Sequence, residues 1–327
     1  MKKILLLCIA LSISYVSKTQ NTNVTLDVNK ARNLIEGYIG PFGNSVGAGI
    51  NNGWYNTAKP HKLGGFDVTV TANLVLINND VKSFPVESIE SGNALQGNTN
   101  SSTILGGTEG VEMEVEIEGT TSTIKLPSGL DIPILPLPML QAGIGLIKGT
   151  ELNLRYIPEI TIGDNKGEVG VIGAGIKHDL LQWLPIVDKI PIDLSIQAGY
   201  TKISSRIPLI DANNWVEEAE AELDINASTI NLILSKKLLM FTPYIGVGYN
   251  SSTTSFYVED KYSITNGDNG VTAYIPVEAL TNFEFETKND LRTNIGFRFN
   301  IAILALQANY TFSEYPTATL GVGISVR

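Results

Sequence analysis

The sequence predicts an all-β fold, an antiparallel transmembrane β-barrel of about 10 to 14 strands with a short N-terminal helical hatch. Three features of the chain predict it. The chain begins with a leader typical of exported proteins, and its C-terminal end alternates strictly between large apolar and small polar residues. Its connections are short and long in turn, as they are in outer-membrane barrels.

The leader has a charged start and an apolar core. Lys2 and Lys3 precede an apolar run that ends near Ser14, and small and polar residues follow it. This order is that of a secretory signal peptide, so we expect residues 1–20 to be removed on export. Cys8 lies inside the leader, so the mature chain would carry no thiol nucleophile and no disulfide.

The net charge and the prolines of the chain limit its cellular location and its partners. The net charge of −10 becomes −13 when Lys2, Lys3 and Lys18 leave with the leader. This acidity argues against nucleic acid as a partner, because phosphate binding needs clustered Lys and Arg. Prolines break the apolar stretch 132–147, which cannot then form a membrane-spanning helix. An exported chain of this kind is either a soluble β-sandwich or an outer-membrane barrel, and we favour the outer membrane.

Residues 21–64 precede the first clear strand and predict the hatch. Val28, Leu34 and Tyr38 recur at helical spacing, and we expect that helix to end around Gly37 to Pro41. A short helix followed by an irregular Gly- and Asn-rich run has no core of its own, so we expect both to fill the barrel lumen. The candidate hatch residues are Asn51, Asn52, Trp54, Tyr55 and Lys59.

Residues 65–327 predict the barrel. Its alternation is clearest from Ile295 to Ile301, from Leu304 to Phe312 and from Ala318 to Val326, where the polar set is rich in Gly, Asn, Gln and Thr. Large apolar residues on one face and small polar residues on the other are typical of strands between lipid and a wet lumen. In a strand further upstream, the apolar parity changes near Thr229, which predicts a β-bulge.

Short and long connections alternate along this region. The predicted long external loops are 78–138, 204–220 and 258–290. Because strands run up and down in turn, these loops fall at one end of the barrel and the short turns at the other. The first loop contains alternate glutamates from Glu112 to Glu118, which would be unfavourable in lipid and indicate a hairpin outside the membrane. A solvated sheet face is the simpler interpretation of these glutamates, and a cation-binding ladder is the alternative.

The sequence predicts no enzyme, no catalytic residue, no metal site and no cofactor. Gly43 to Gly47 match the nucleophile-elbow pattern around Ser45, but a helix-like segment precedes the motif where the elbow needs a strand. The histidines, His61 and His178, stand apart, whereas metal ligands need close partners. A hydrolase using Ser45 remains the minor alternative.

Four charged residues lie on strand faces opposite the apolar residues, and parity directs them into the lumen. These lumen candidates are Asp67, Arg155, Asp193 and Arg298. A buried charge must be paired or hydrated. They either tie the hatch to the wall or line a permeation path, and both interpretations stay open.

Three stretches carry a family resemblance. The run Asn51 to Pro60, with Lys148 to Tyr156 and Lys177 to Asp179, resembles an uncharacterised family of outer-membrane barrels over most of the mature chain. More distantly, the hatch and barrel resemble the FadL-type long-chain fatty-acid transporters. That resemblance implies a hatch-plugged lumen and passive uptake or binding of small hydrophobic molecules, which would pass through the lumen or sideways through the wall. The implied partners are outer-membrane lipid and a hydrophobic solute, and the alternative is a structural barrel that docks a surface partner through its acidic loops.

Overall fold

The structure, a computed structural model, describes residues 28–86, 93–94, 100–107, 109–117, 120–162, 167–183, 191–209, 219–259, 263–265, 272–274, 283–286 and 290–326. The predicted signal peptide, residues 1–20, lies outside the described residues. So do the first residues of the predicted hatch and parts of all three predicted loops. Within the described residues, we find no helix that is long and apolar enough to cross a membrane.

One α-helix, α1, spans Val28–Ile50. The described strands follow it in the chain as β1 (Phe66–Leu76), β2 (Ser83–Pro85), β3 (Asn93–Ala94), β4 (Asn100–Ser102), β5 (Glu112–Ile117), β6 (Thr120–Lys125), β7 (Ile134–Gly145), β8 (Thr150–Ile162), β9 (Gly167–Asp179), β10 (Asp193–Leu209), β11 (Ala219–Ser235), β12 (Phe241–Glu259), β13 (Ser263–Thr265), β14 (Thr272–Tyr274), β15 (Phe283–Glu286), β16 (Asp290–Ile301), β17 (Leu304–Phe312) and β18 (Thr317–Val326). Short 3-10 turns span Asn79–Val81 and Leu181–Trp183.

Ten of the described strands close into one antiparallel barrel. Their order around the wall is β11, β10, β9, β8, β7, β1, β18, β17, β16 and β12, and β12 pairs with β11 to complete the circle. The first and last strands of the chain are neighbours, with Val68 opposite Ile324. The predicted fold, an antiparallel transmembrane barrel with an N-terminal helical hatch, is therefore confirmed, and its ten strands lie at the low end of the predicted range.

The alternation that the sequence shows separates the two faces of the wall. On β17 and β18, Leu306 and Ile324 point outward and are 40% and 50% exposed, whereas Gln307 and Thr319 point inward and are buried. Successive side chains of a strand point to opposite faces, so the same parity continues around the barrel. The outward set forms an apolar belt suited to acyl chains.

The helix is longer than the sequence predicts. It was expected to end around Gly37 to Pro41, but α1 continues to Ile50 with Pro41 inside it. Pro41 has no backbone N–H, so the helix continues through it with one hydrogen-bond donor missing. The narrow lumen explains why this helix contains Gly47 and Gly49, because a Cβ at either position would collide with side chains of the wall. Close packing, rather than helix propensity, sets this end of the helix.

Two of the predicted loops are shorter than expected. The loop 78–138 ends earlier, because β7 begins at Ile134 and contains Pro136 and Pro138. The first residues of the predicted loop 204–220 belong to β10, which ends at Leu209, and its last residues belong to β11, which begins at Ala219.

The predicted β-bulge near Thr229 is wrong. β11 pairs without interruption with both β10 and β12. The register shift of the described wall lies in β8 instead, between Ile157 and Ile160. Along β11 the apolar residues pass from the inward face to the outward face, because the surroundings on both faces of the wall change there.

Candidate functional site: the hatch and its seat

The hatch, residues 28–61, crosses the lumen from the long-loop end to the short-turn end. In the first part of α1, the Tyr38 hydroxyl donates to the Ser128 carbonyl at 3.1 Å, and the Tyr38 carbonyl accepts from Ile104 N–H at 3.0 Å. At the far end of the hatch, Lys59 Nζ lies 3.5 Å from Asp193 Oδ1, where β10 begins. We call the lumen near the long loops its outer half and the lumen near the short turns its inner half.

The outer half is filled by an apolar core. Leu34, Ile35 and Ile39 of α1 are buried against inward-facing wall residues and against residues of the stretch 77–133. The wall residues of this core include Val75, Met139, Val171, Ile203, Leu223, Ile225 and Phe256. Tyr315, between β17 and β18, hydrogen-bonds to Asn44, and burial raises the pKa of Tyr315 to about 12.

The inner half is polar, and arginines bind the hatch where α1 ends. Arg155 of β8 donates to the Ile50 carbonyl at 2.5 Å and to the Asn52 carbonyl at 2.7 Å. Arg292 of β16 donates to the Asn51 carbonyl at 2.7 Å and to Asn52 Oδ1 at 2.8 Å. The last carbonyls of a helix lack intrahelical donors and carry partial negative charge, so the two guanidinium groups cap α1.

Two aromatic residues fix the extended part of the hatch against glycines of the wall. Trp54 faces Gly175 and Gly199, where any side chain would collide with its ring. The guanidinium carbon of Arg155 lies 3.7 Å from the Trp54 ring centroid, in a cation–π contact. The Tyr55 hydroxyl donates to Asn294 Oδ1 at 2.9 Å. The glycine-rich strand faces are thus the seat of these rings.

A buried ion-pair cluster, which we call the latch, holds the last residues of the hatch. Glu151 Oε2 accepts from His61 N–H at 2.8 Å and lies 2.7 Å from His61 Nδ1. Glu151 Oε1 lies 2.9 Å from Lys177 Nζ, and both side chains are 3% exposed. The other ring nitrogen, His61 Nε2, lies 3.2 Å from Ser325 Oγ. One carboxylate therefore joins the hatch to β8 and β9, and the imidazole reaches β18.

The predicted lumen residues occupy different parts of this arrangement. Arg155 caps α1, and Arg298 donates to Asn56 Oδ1 of the hatch at 2.6 Å. Asp193 pairs with Lys59 at the short-turn rim. Asp67 is buried in the wall and accepts from Thr69 Oγ1 at 3.3 Å. The structure brings Arg155 and Arg298 to the hatch and leaves Asp67 apart from both.

The predicted hatch residues line the inner half, and the sequence interpretation missed several wall partners. Asn51, Asn52, Trp54 and Tyr55 are buried, while Lys59 is exposed. The missed wall partners are Glu151, Lys177 and Arg292, and the contact of His61 of the hatch with Glu151 was missed with them. The parity that selected Arg155 and Arg298 also selects Glu151, Lys177 and Arg292, so the same signal could have found these three.

Ser45 does not occupy a nucleophile elbow. It lies within α1, is fully buried, and donates its hydroxyl to the Phe42 carbonyl at 2.8 Å. The elbow requires a sharp turn between a strand and a helix that exposes the serine. Within the described part of the chain, no group of three or more His, Cys, Asp or Glu gathers as a metal site.

The wall has an incomplete seam between β7 and β8. These strands pair from Gly145 opposite Glu151 to Gln141 opposite Arg155, and no further. Beyond this point β7 continues to Ile134 along β1, and β8 continues to Ile162 along β9. The wall is thus unpaired here in the outer part of the barrel.

Prolines explain why the seam stays unpaired. Leu146 N–H bonds to the Thr150 carbonyl of β8, so the even-numbered residues of β7 direct their backbone groups toward β8. Pro136 and Pro138 share this direction and have no N–H to donate. Pro158 lies within the register shift of β8 on the other side. Both edges of the seam therefore resist pairing.

Comparisons with known proteins give a family and several similar barrels. A family model described as a family of unknown function (DUF6588) matches residues 1–326. No curated protein matches the chain.

Among solved structures, the chain is similar to the translocator domain of the autotransporter NalP from Neisseria meningitidis, at 12% identity over 82% of this chain and 90% of that chain, with a TM-score of 0.32. It is similar to Ail, the attachment invasion locus protein of Yersinia pestis, at 8% identity over 81% and 98%, with a TM-score of 0.28. It is also similar to the toluene transporter TodX of P. putida, at 8% identity over 80% and 89%, with a TM-score of 0.25. None of these similarities assigns a function to this chain.

Proposed function

We propose a function for a chain that belongs to DUF6588, a family of unknown function. It is an outer-membrane barrel that binds or takes up small hydrophobic molecules. These molecules enter sideways from the lipid through the seam between β7 and β8, and the hatch closes their way to the short-turn end. The unpaired seam is the observation that carries the proposal.

The seam connects apolar surfaces on the outside and the inside of the wall. Leu140 and Tyr156 flank it on the outer face and are 43% and 60% exposed. Leu135, Leu137 and Ile157 flank it on the inner face, where they are half-buried and pack against the apolar core of the outer half. A solute in the outer leaflet would meet apolar side chains throughout such a passage, so it would not have to cross a polar layer.

The hatch supports a gated passage rather than an open one. In the inner half, arginines, the two aromatic residues and the latch join the hatch to strands all around the lumen. A solute that enters the outer half would therefore need movement of the hatch to leave at the short-turn end. Hydrogen bonds that bind this segment to the wall stabilise the closed state.

Locking the seam tests the entry route. Leu140 and Tyr156 are the next outward-facing pair beyond the paired part of β7 and β8. We expect Leu140→Cys/Tyr156→Cys, once oxidised, to abolish the barrel-dependent uptake of the apolar fluorophore 1-N-phenylnaphthylamine by intact cells, and reduction to restore it. The control is Ala142→Cys/Leu154→Cys, a pair already in register, which should leave uptake unchanged.

A second variant covers the case in which the distant thiols do not join. Pro136→Val/Pro138→Val returns two N–H donors to the edge of β7 that faces β8. The two strands should then pair by backbone hydrogen bonds along the seam, and uptake should fall. Uptake that is unaffected by both the locked and the paired seam would overturn the proposal.

A cross-link at the short-turn rim tests the gate separately. Lys59→Cys/Asp193→Cys joins the hatch to β10 where the two native side chains already pair. This lock should stop passage to the inner side while binding of the fluorophore to the purified barrel persists. Passage at the native rate through a barrel with the hatch locked would show that the hatch does not gate.

A further inference from the structure

Asp67 of β1 is a buried carboxylate without a counter-charge in the described part of the chain. It is 6% exposed, and its Oδ1 atom has no hydrogen-bond partner among the described residues. Its other oxygen, Oδ2, accepts from Thr69 Oγ1 at 3.3 Å. Glu151, which is also buried at 3% exposure, has both Lys177 and His61 as partners. An ionised carboxylate in a dry site is strongly unfavourable unless a cation pairs with it.

A notch lies beside Asp67, above a residue that has no side chain. Asp67, Gly143 and Asn153 form one row across β1, β7 and β8. A Cβ built on Gly143 would contact Asp67 Oδ1 from one side and lie 2.7 Å from Asn153 Oδ1 on the other. The two oxygens therefore converge over the glycine from opposite strands.

The Asn153 oxygen is held toward this notch by its neighbours. Asn153 Nδ2 donates to Glu151 Oε1 at 3.3 Å, and Asn153 Oδ1 accepts from Gln141 Nε2 at 3.3 Å. An amide carbonyl has two lone pairs, so Oδ1 keeps one for a further partner. Carboxylate and amide oxygens together are the ligands that hard cations such as Na⁺ and Ca²⁺ prefer.

We propose that the notch over Gly143 binds one hard cation between Asp67 and Asn153, with water completing its coordination. The cation would neutralise Asp67 and join β1 to β8 across β7. This site lies beside the latch, because Asn153 also bonds to Glu151. It is independent of the route that hydrophobic molecules take.

Salt-specific stabilisation of the full-length barrel tests the site. A cation that binds the folded state alone raises the unfolding temperature with its concentration. Thermal unfolding would be followed in detergent with NaCl, with CaCl₂ and with choline chloride at matched ionic strength. Either Na⁺ or Ca²⁺ should raise the unfolding temperature above the choline value by about 5 °C when the site is saturated.

Two variants and one control make the test specific. Asp67→Asn removes the charge and Gly143→Ala fills the notch, so each should abolish the difference between the salts even if its baseline stability changes. Asp193→Asn removes a rim carboxylate that already pairs with Lys59, and it should keep the difference. The proposal is overturned if the wild-type barrel responds equally to all three salts, or if the response survives in both test variants.

Discussion

The inner and outer halves of this barrel are built from the same strands but have opposite polarity. In the inner part of β11, Leu232 points out to lipid and Asn231 points into the lumen. In the outer part of the same strand, Asp224 points out, and Leu223 and Ile225 point into the apolar core. The alternation keeps its period of two throughout, and only the environment on each face changes.

The change occurs where the exterior changes from lipid to water. Tyr200 of β10 and Tyr249 of β12 are exposed on the outer face, where interfacial aromatics are common. The next outward residues are Lys202 on β10 and Ser251 on β12. From these two tyrosines toward the long loops, the outside of the wall carries ion pairs, such as that between Lys202 Nζ and Asp224 Oδ2 at 2.7 Å. Along β10, β11 and β12 the outer half thus resembles a water-soluble protein with its core inside, and the inner half resembles a membrane protein with its polar groups inside. At the β7–β8 seam the outward face stays apolar, with Leu140 and Tyr156 exposed.

The largest expected effect is loss of the latch carboxylate in the inner half. Glu151→Gln leaves Lys177 buried beside a neutral amide and weakens the hold on His61, and breaking a buried pair costs about 3–5 kcal/mol. Denaturant unfolding of the barrel in lipid vesicles would measure this loss, and planar-bilayer conductance should rise as the hatch loosens. The control, Asp193→Asn, removes an ion pair in which Lys59 is mostly exposed, and should cost under about 1 kcal/mol. Equal effects of the two changes would refute the latch.

A pair of leucines on β11 tests the two halves directly. Leu223→Ala opens a cavity in the apolar core of the outer half and should cost about 2–5 kcal/mol. Leu232→Ala on the outward face leaves a space that lipid can fill, so its cost should be smaller. Unfolding free energies in vesicles would show this order, and a reversed order would contradict the assignment of the faces.

Charge insertion on the outward face of the same strand locates the boundary. Leu232→Arg places a cation against acyl chains and should cost about 2–4 kcal/mol if it lies near the midplane. Asn226→Arg, on the same face beyond Tyr200, meets water and should be nearly neutral. Comparable losses at both positions would mean that the apolar belt extends over the whole strand.

The smallest effect belongs to the ion pairs on the outer surface. Lys202→Ala removes a partner of Asp224 at a site open to solvent, where such pairs contribute about 0.2–1 kcal/mol. Raising the salt concentration should reduce even this difference, because exposed pairs are screened. A loss of several kcal/mol that does not depend on salt would show that this face is shielded from water.

The sequence predicted the parts of the fold that follow from local alternation. The strand predicted from Leu304 to Phe312 has the same ends in the structure, and Arg155 and Arg298 face inward as predicted. The parity change near Thr229 was misread as a bulge, because a change of solvent and a register shift leave the same local pattern. The length of α1 was also missed, since the lumen that contains it is built by distant strands.

Pairing between strands was beyond the same reasoning. Pro136 and Pro138 are visible in the sequence, where they indicate the end of a loop, whereas the structure places them at the edge of a strand. The seam depends on which neighbour each proline faces, and that is decided by register. The latch shares this property, because Glu151, Lys177 and His61 come together only when β8, β9 and the hatch are assembled.

The direction of the hatch has a consequence for how the molecule is made. α1 begins among the long loops, yet the chain leaves the lumen at the other end to enter β1, so this segment is threaded through the ring. A helix with its side chains is about 10–12 Å wide, and this one contacts the wall closely. We therefore expect the barrel to close around this segment, with the pairing of β1 and β18, the first and last strands of the wall, forming last.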